Sequence, residues 1–170
     1  DACGIQRAFR HHGRTRACGF SGQAEYLTIG EVKSRVSIPI IANGDIASPD
    51  KALDVLALTG ADGVMIGRAA LGQPWLFAAL VARLHPGASI LLPPPRTEIV
   101  ATMLQHLEGL YGFYDESQGV RIARKHVGWY LNHLPAPQGF LAGFNTLTTA
   151  RAQLQAVGSL LHPQNPILTA

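Results

Sequence analysis

Cysteine is scarce in this chain, with only Cys3 and Cys18 among 170 residues. Neither belongs to a CxxC pair or to a Cys/His ligand spacing, so a disulfide-stapled fold is excluded, and no metal site is expected. Charge is sparse as well, at 15% against 47% hydrophobic residues. That balance belongs to a folded globular domain, not to a disordered segment. Long apolar runs are absent, since none approaches the roughly 18 residues that a bilayer-crossing helix needs. The opening stretch, DACGIQRAFRHHGRTR, puts basic and polar residues where a secretory signal would have its apolar core. These absences predict a cytoplasmic protein with no membrane partner.

Excess charge of one sign is small too. Fourteen Lys and Arg against eleven Asp and Glu leave a net charge of +3, which does not identify a nucleic-acid partner by itself. Distribution is more informative. The only lysines are Lys33, Lys51 and Lys125, and the arginines concentrate in residues 7–16 and 121–125.

The clearest pattern runs over residues 28–77 and reads βαβα. Residues 38–42 (IPIIA) form a short apolar, β-branched run of the kind buried on both faces in a parallel sheet, and Asn43-Gly44-Asp45 closes it with turn chemistry. Ser48 fits an N-cap, with Pro49 at the first helical position and Asp50 near the positive end of the dipole. Leu53, Leu56 and Ala57 are expected on one helical face, and Gly60 is placed for a left-handed C-terminal residue. A second strand follows at residues 63–66 (GVMI), closed by Gly67-Arg68. Pro74 then starts a helix through Trp75, Leu76, Leu80 and Leu84.

Two strands joined by one helix, about 25 residues apart, make a right-handed parallel unit as found in α/β barrels and doubly wound sheets. Ligands bind at the carboxyl ends of such strands. Those ends carry Asn43, Gly44 and Asp45 on one strand and Gly67 and Arg68 on the next. Glycines let backbone N–H groups approach an anion, and Arg68 can fork onto phosphate oxygens. The pair reads as a phosphate cup; the plainer alternative is two ordinary turns.

Pro and Gly cluster at residues 85–96 (HPGASILLPPPR), where no period survives, which predicts a linker between an α/β part at residues 1–84 and an all-α part at residues 97–170. After Thr97 as a cap, Ile99, Met103, Leu107, Leu110 and Phe113 or Tyr114 recur at helical spacing. Further helices are expected over residues 118–132 and 146–161, the latter with Leu147, Leu154, Val157 and Leu161 on one side. In the middle helix Val120, Ala123, Val127 and Leu131 form a core face, while Arg121, Arg124, Lys125 and Gly128 line up on another. His126, Trp129 and His133 share the remaining flank. Cations beside aromatic rings suit a phosphodiester backbone and unstacked bases. The alternative is a solvated basic helix with Trp129 packed into a bundle.

Together these residues resemble a known family. His12-Gly13-Arg14-Thr15-Arg16, Tyr26, the run from Ile38 through Asn43-Gly44-Asp45 to Ile46, the run from Thr59 to Gly67-Arg68, and Arg121-Ile122-Ala123-Arg124-Lys125-His126 with Trp129-Tyr130 look like the bacterial tRNA-dihydrouridine synthases. The resemblance implies the last strands of an FMN-binding (β/α)8 TIM barrel followed by a small helical domain that grips tRNA. It also implies reduction of uridine to 5,6-dihydrouridine by hydride transfer from FMN, which NADPH recharges. By resemblance His12, Asn43, Gly44, Asp45, Gly67 and Arg68 bind the cofactor. Arg14, Arg16, Arg121, Arg124, Lys125 and His126 contact RNA. For His12 a local turn role is the alternative.

Departures from the family pattern shape the expectation. The family's early strands, with a lysine toward the flavin and the cysteine that protonates the uracil carbon, have no counterpart here, so no catalytic residue is assigned, Cys3 and Cys18 included. The chain is accordingly expected to be incomplete and inactive alone, needing an N-terminal segment or a second copy. Residues 8–11 (AFRH) stand where relatives have an apolar strand, a pattern that conflicts with burial. Two further readings stay open: a non-catalytic RNA-binding fragment, and another flavin or phosphate-binding barrel.

Overall fold

A computed structural model describes residues 9–12, 25–85 and 94–162, the first stretch by its backbone alone. Cys3, Arg14, Arg16 and Cys18 lie outside the described residues. The chain divides into two compact units, one of Asp1–Ala70 with Pro74–Leu91, the other of Leu71–Gln73 with Leu92–Ala170.

The first unit is a parallel sheet in the order β1 (Phe9–His12), β2 (Ile40–Asn43) and β3 (Gly63–Met65). Helix α1 (Leu27–Arg35) precedes β2, α2 (Pro49–Thr59) crosses from β2 to β3, and α3 (Leu76–Leu84) follows a single 3₁₀ turn at Arg68–Ala70. Ile29 of α1, Ala52 and Val55 of α2, and Leu76 and Leu80 of α3 share one buried cluster with Ile40 and Ala42 of β2. Because strand side chains alternate, Ile41 and Asn43 project from the other face. All three helices therefore cover the same side of the sheet.

Local chemistry sets these elements. Ser48 caps α2, its hydroxyl accepting from the Lys51 N–H at 3.1 Å, and Gly60 ends the helix at φ 64° in the left-handed region, both as the sequence predicts. Asp62 fixes where β3 begins: its carboxylate accepts from the Ile40 N–H and from Lys33 Nζ, each at 2.7 Å, and its own N–H donates to the Ile40 carbonyl at 2.9 Å. Those hydrogen bonds, with the Lys33 charge, hold the Asp62 carboxyl below the usual carboxylate range.

Several expectations are corrected. Strand β2 begins at Ile40 and includes Asn43. Pro39 has no N–H to give a ladder, and Ile38 before it is 43% exposed. Strand β3 ends at Met65, although Ile66 is buried beyond it. Helix α2 buries Ala52, Val55 and Thr59, leaving Leu53 and Leu56 half-buried and Ala57 exposed. The short residues face the sheet because they let the helix approach closely. Helix α3 starts at Leu76, two residues after Pro74, and keeps Leu84 near its end partly exposed. Helix α1 was no part of the sequence reading. In β1, FRHH pairs in register with β2 despite its polar residues, because ladder hydrogen bonds come from backbone groups that every residue carries.

The second unit is helical: α4 (Arg96–Tyr114), α5 (Glu116–Tyr130), α6 (Phe140–Thr146) and α7 (Ala150–Ser159). Helix α4 starts at Arg96 with Pro95 as its cap residue, so Thr97 lies inside the first turn and is not the cap. The Arg96 guanidinium earns that place by donating to the carbonyls of Leu160 at 2.9 Å and Pro135 at 2.8 Å. Ile99, Met103 and Leu107 are buried as expected, whereas Phe113 is 79% exposed at the helix end, where the packing against the neighbouring helices has run out. Helix α5 is capped by Asp115, whose carboxylate accepts from the Gln118 N–H at 2.9 Å. It buries Val120, Ala123 and Val127 as expected, but Tyr130 and Leu134 take the place given to Leu131. The helix expected over residues 146–161 is α7, which starts only at Ala150, where Thr149 caps it and accepts from the Ala152 N–H at 3.3 Å; α6 before it was no part of the sequence reading. Helix α7 buries Gln153, Val157 and Leu160, with Leu154 half-buried and Leu161 partly exposed.

Gln153 is fully buried, and both ends of its amide are satisfied. Its oxygen accepts from the Tyr111 hydroxyl at 2.8 Å, and its nitrogen donates to the Val120 carbonyl at 3.2 Å. Burial and the nearby Glu116 charge push the Tyr111 hydroxyl up to about 12. Gln153→Leu should cost about 2–4 kcal/mol in denaturant unfolding, because it strands the hydroxyl and the carbonyl. A phenol with a raised folded pKa stabilises fully below the ordinary value of 10.0 and loses that contribution as pH climbs toward about 12. Unfolding midpoints measured across that window should therefore fall in the native chain and fall less in Tyr111→Phe, which leaves only the part due to Tyr130, also raised by burial.

Candidate phosphate cup and basic helix

The strand ends of the first unit are aligned by register. His12 pairs with Asn43, and Asn43 pairs with Met65, so the carboxyl ends of β1, β2 and β3 form one rim. The Asn43 side chain is buried and donates to the Met65 carbonyl at 2.8 Å, which ties the ends of β2 and β3 together. Gly44-Asp45 and Gly67-Arg68 therefore leave the sheet side by side. Gly44 has φ 139° and Asp45 φ 47°, a turn that a β-branched residue would resist at the second position.

The two loops meet through charge. Arg68 Nη2 donates to Asp45 Oδ1 at 3.1 Å, with the Arg68 side chain 60% exposed. An exposed pair of this kind contributes about 0–1 kcal/mol to stability, so its consequence is position more than strength. Behind the loops, the Tyr26 hydroxyl donates to the Gly44 carbonyl at 2.6 Å, and Lys51 Nζ sits 5.0 Å from the centre of the Tyr26 ring. Among the described residues nothing lies within 4 Å of a Cβ built on Gly67, which leaves its backbone beside the 60% exposed Arg68 guanidinium uncovered by them. Asn43, Gly44, Asp45, Gly67 and Arg68 are thus brought together. His12 stands on the same rim by backbone register.

The basic helix is α5, in the second unit. Arg121 and Lys125 are exposed, and Lys125 Nζ lies 5.0 Å from the centre of the Trp129 ring. Arg124 is half-buried and donates to the Leu147 carbonyl at 3.3 Å, while its Nε is buried with no hydrogen-bond partner among the described residues. Of the three cations expected on one surface, Arg124 is thus the one drawn into the packing between α5 and the end of α6. His126 sits between the Trp129 ring at 4.9 Å and His106 of α4 at 4.6 Å, both edge to face. The His106 Nδ1 lies 3.3 Å from the Tyr130 hydroxyl. His133 is exposed, and its N–H donates to the Tyr130 carbonyl at 2.9 Å.

Sequence reasoning missed His106 and the roles of Tyr26 and Lys51. His106 lies between the core positions Met103 and Leu107 of α4, and nothing local marks it as the partner of a residue 20 positions further on. Tyr26 reaches Gly44 across 18 residues of chain. Only a repeated family pattern could have signalled either contact.

Burial lowers the affinity of both paired histidines for a proton. For His126 the neighbouring His106 and Lys125 add to the effect. A histidine whose folded pKa lies below the ordinary 6.5 stabilises fully above that value and loses the contribution as pH falls through the lowered one. Thermal unfolding of the helical unit is therefore expected at lower temperature as pH drops below about 6.5. His106→Gln should flatten that acid dependence.

Comparison with known proteins bears on the family of the chain. A family profile described as dihydrouridine synthase (Dus) matches residues 1–163. A tRNA-dihydrouridine synthase B of Xanthomonas campestris is 53% identical over 153 residues, covering 89% of this chain and 45% of that protein. Its counterpart in Serratia marcescens is 54% identical over 157 residues, covering 91% of this chain and 46% of its own. One in Pseudomonas putida is 51% identical over 154 residues, at 90% and 45%. The chain thus spans about half the length of the curated relatives that it matches. With nearly all of its residues inside the matched region, the chain belongs to the dihydrouridine synthase family.

Proposed function

We propose that this chain supplies the closing strands of an FMN-binding (β/α)8 barrel, together with a helical tRNA-binding unit, to a cytoplasmic tRNA-dihydrouridine synthase. The observation that carries the reading is the aligned rim, where Asn43 ties β2 to β3 and the loops Gly44-Asp45 and Gly67-Arg68 emerge together. Ligands of parallel α/β folds sit at that end of the strands. Among the described residues of the first unit, α1, α2 and α3 all cover the same face of the sheet, as helices do on a barrel wall.

In this reading the Arg68 guanidinium and the two loop backbones hold the phosphate of FMN, with the α2 N-terminus adding its partial positive charge. His12, on the rim by backbone register, is assigned to the cofactor. Bound FMN, recharged by NADPH, supplies the hydride that saturates the uracil 5,6 bond. No residue of this chain is assigned as the acid that delivers the accompanying proton. Arg121 and Lys125 face the tRNA backbone, with Arg124 and His126 beside them on α5, and Arg14 and Arg16 are assigned to the RNA as well. The exposed apolar stripe of α3, with Phe77 48% and Val81 54% exposed, suits the remaining barrel wall, contributed by a preceding segment or a second copy.

Two measurements test the reading. The purified chain, mixed with FMN and freed of unbound flavin, is expected to retain a perturbed flavin spectrum, and Arg68→Met should weaken retention about 10-fold, the scale of one charge-assisted hydrogen bond. Binding to tRNA should weaken with salt, and Arg121→Ala and Lys125→Ala should each reduce the logarithmic salt slope by about 1. A folded sample that binds tRNA and retains no flavin would replace this reading with a non-catalytic RNA-binding role. Flavin retention with no tRNA affinity would point to a different flavin barrel.

A further inference from the structure

We propose that Tyr26 is a positioning residue for the phosphate end of the cup and acts through Arg68. The inference rests on the phosphate-binding reading of the two loops and adds a residue to it. Tyr26 is buried immediately before α1, and its hydroxyl donates to the Gly44 carbonyl at 2.6 Å. The Gly44–Asp45 peptide is trans, so its N–H points opposite to its carbonyl. Fixing that carbonyl on Tyr26 therefore fixes the orientation of the whole peptide plane. The residues on either side have φ 139° and 47°, conformations with few alternatives close by.

Asp45 comes next in the chain of effects. Its left-handed backbone sends the carboxylate to Arg68 Nη2 at 3.1 Å, and that pair helps to set where the guanidinium, 60% exposed, stands. A free arginine of this exposure would sample many rotamers, and binding a phosphate would then carry the full cost of ordering it. The Tyr26 hydroxyl, the Gly44 peptide and the Asp45 carboxylate hold it in one place beforehand. Lys51 Nζ, 5.0 Å from the centre of the Tyr26 ring, adds a cation–π contact between the same tyrosine and the first turn of α2.

Three features of the geometry separate this role from ordinary core packing. The hydroxyl contact is polar and aimed at a loop, the loop carries both positive-φ residues of the cup, and the far end of the relay is a guanidinium whose side chain is 60% exposed. The effect is expected on phosphate recognition and not on the isoalloxazine ring, which gives a readout that packing alone would not move.

The test is titration of the chain with FMN and, separately, with riboflavin, which lacks the phosphate. The native chain should prefer FMN. Tyr26→Phe, which deletes one oxygen, should weaken FMN binding about 5- to 10-fold, the scale of one intramolecular hydrogen bond, and leave riboflavin unchanged. In an Arg68→Met background the same substitution should cost nothing further, since the effect runs through that arginine. Asp45→Gly, which keeps the left-handed backbone free of strain and removes the carboxylate, is the second variant and should lose the same preference even if Tyr26→Phe folds poorly. Unchanged FMN binding in Tyr26→Phe, equal loss of both ligands, or full additivity with Arg68→Met would overturn the role of Tyr26. Absence of any FMN preference in the native chain would overturn the phosphate cup itself, and the proposal with it.

Discussion

The Asn43 amide, donating to the Met65 carbonyl where β2 and β3 end, is the contact on which the arrangement of the cup depends. A parallel ladder aligns two strands along their length, but beyond the last ladder bond the chains are free to splay. A buried side-chain donor at that position keeps them together for one more residue. Gly44-Asp45 and Gly67-Arg68 then start from fixed, adjacent points, and a carboxylate on one loop can meet a guanidinium on the other. Asp62 does the equivalent work at the opposite end, where its carboxylate takes the Ile40 N–H and its N–H gives to the Ile40 carbonyl. Between these two polar clamps the strands need only short apolar contacts, which explains how three- and four-residue strands suffice.

In the helical unit the same economy is reached through side chains that cross between helices. Arg96 joins the start of α4 to the Leu160 and Pro135 carbonyls, Gln153 joins α7 to Tyr111 and Val120, and Glu116 accepts from the Ala150 N–H at the start of α7. Carbonyls and N–H groups at helix ends need partners, and here charged or amide side chains provide them. The basic face of α5 is thus carried on a frame whose polar contacts are inward. One of its arginines is shared with that frame: Arg124 gives a hydrogen bond to Leu147, so the cations presented outward are chiefly Arg121 and Lys125.

Local chemistry was legible in the sequence and long-range contact was not. Ser48, Pro49 and Gly60 announce α2 because capping and left-handed backbone are properties of single residues. The turn at Asn43-Gly44-Asp45 and the glycine before Arg68 were readable for the same reason, and so was the amphipathic spacing of Val120, Ala123 and Val127. The face of α2 was misread because hydrophobicity was taken as the guide, while close helix-to-sheet packing favoured the short Ala52 and Val55 over Leu53 and Leu56. An earlier start for α7 was expected because Leu147 keeps the helical period of Leu154, Val157 and Leu161, although the helix begins at Ala150. Thr149, a cap by chemistry, was the signal against it. No pattern within α4 or before α1 revealed that His106 meets His126 or that Tyr26 meets Gly44, since each pairing exists only after the elements have packed.

The sheet also carries an argument about completeness that composition does not. Among the described residues β3 has a strand neighbour on one side only, and α3 turns Phe77 and Val81 outward while Leu76 and Leu80 face the core. Parallel strands in known folds are covered or paired on all sides, because open edges and apolar helix faces invite association. Under the barrel reading proposed above, closure needs eight strands. Two copies of a three-stranded sheet would bring six, which falls short of that number, whereas the curated relatives carry about as much chain again as the part matched here. Under that reading the open edge of β3 and the outward face of α3 are surfaces that barrel closure would cover.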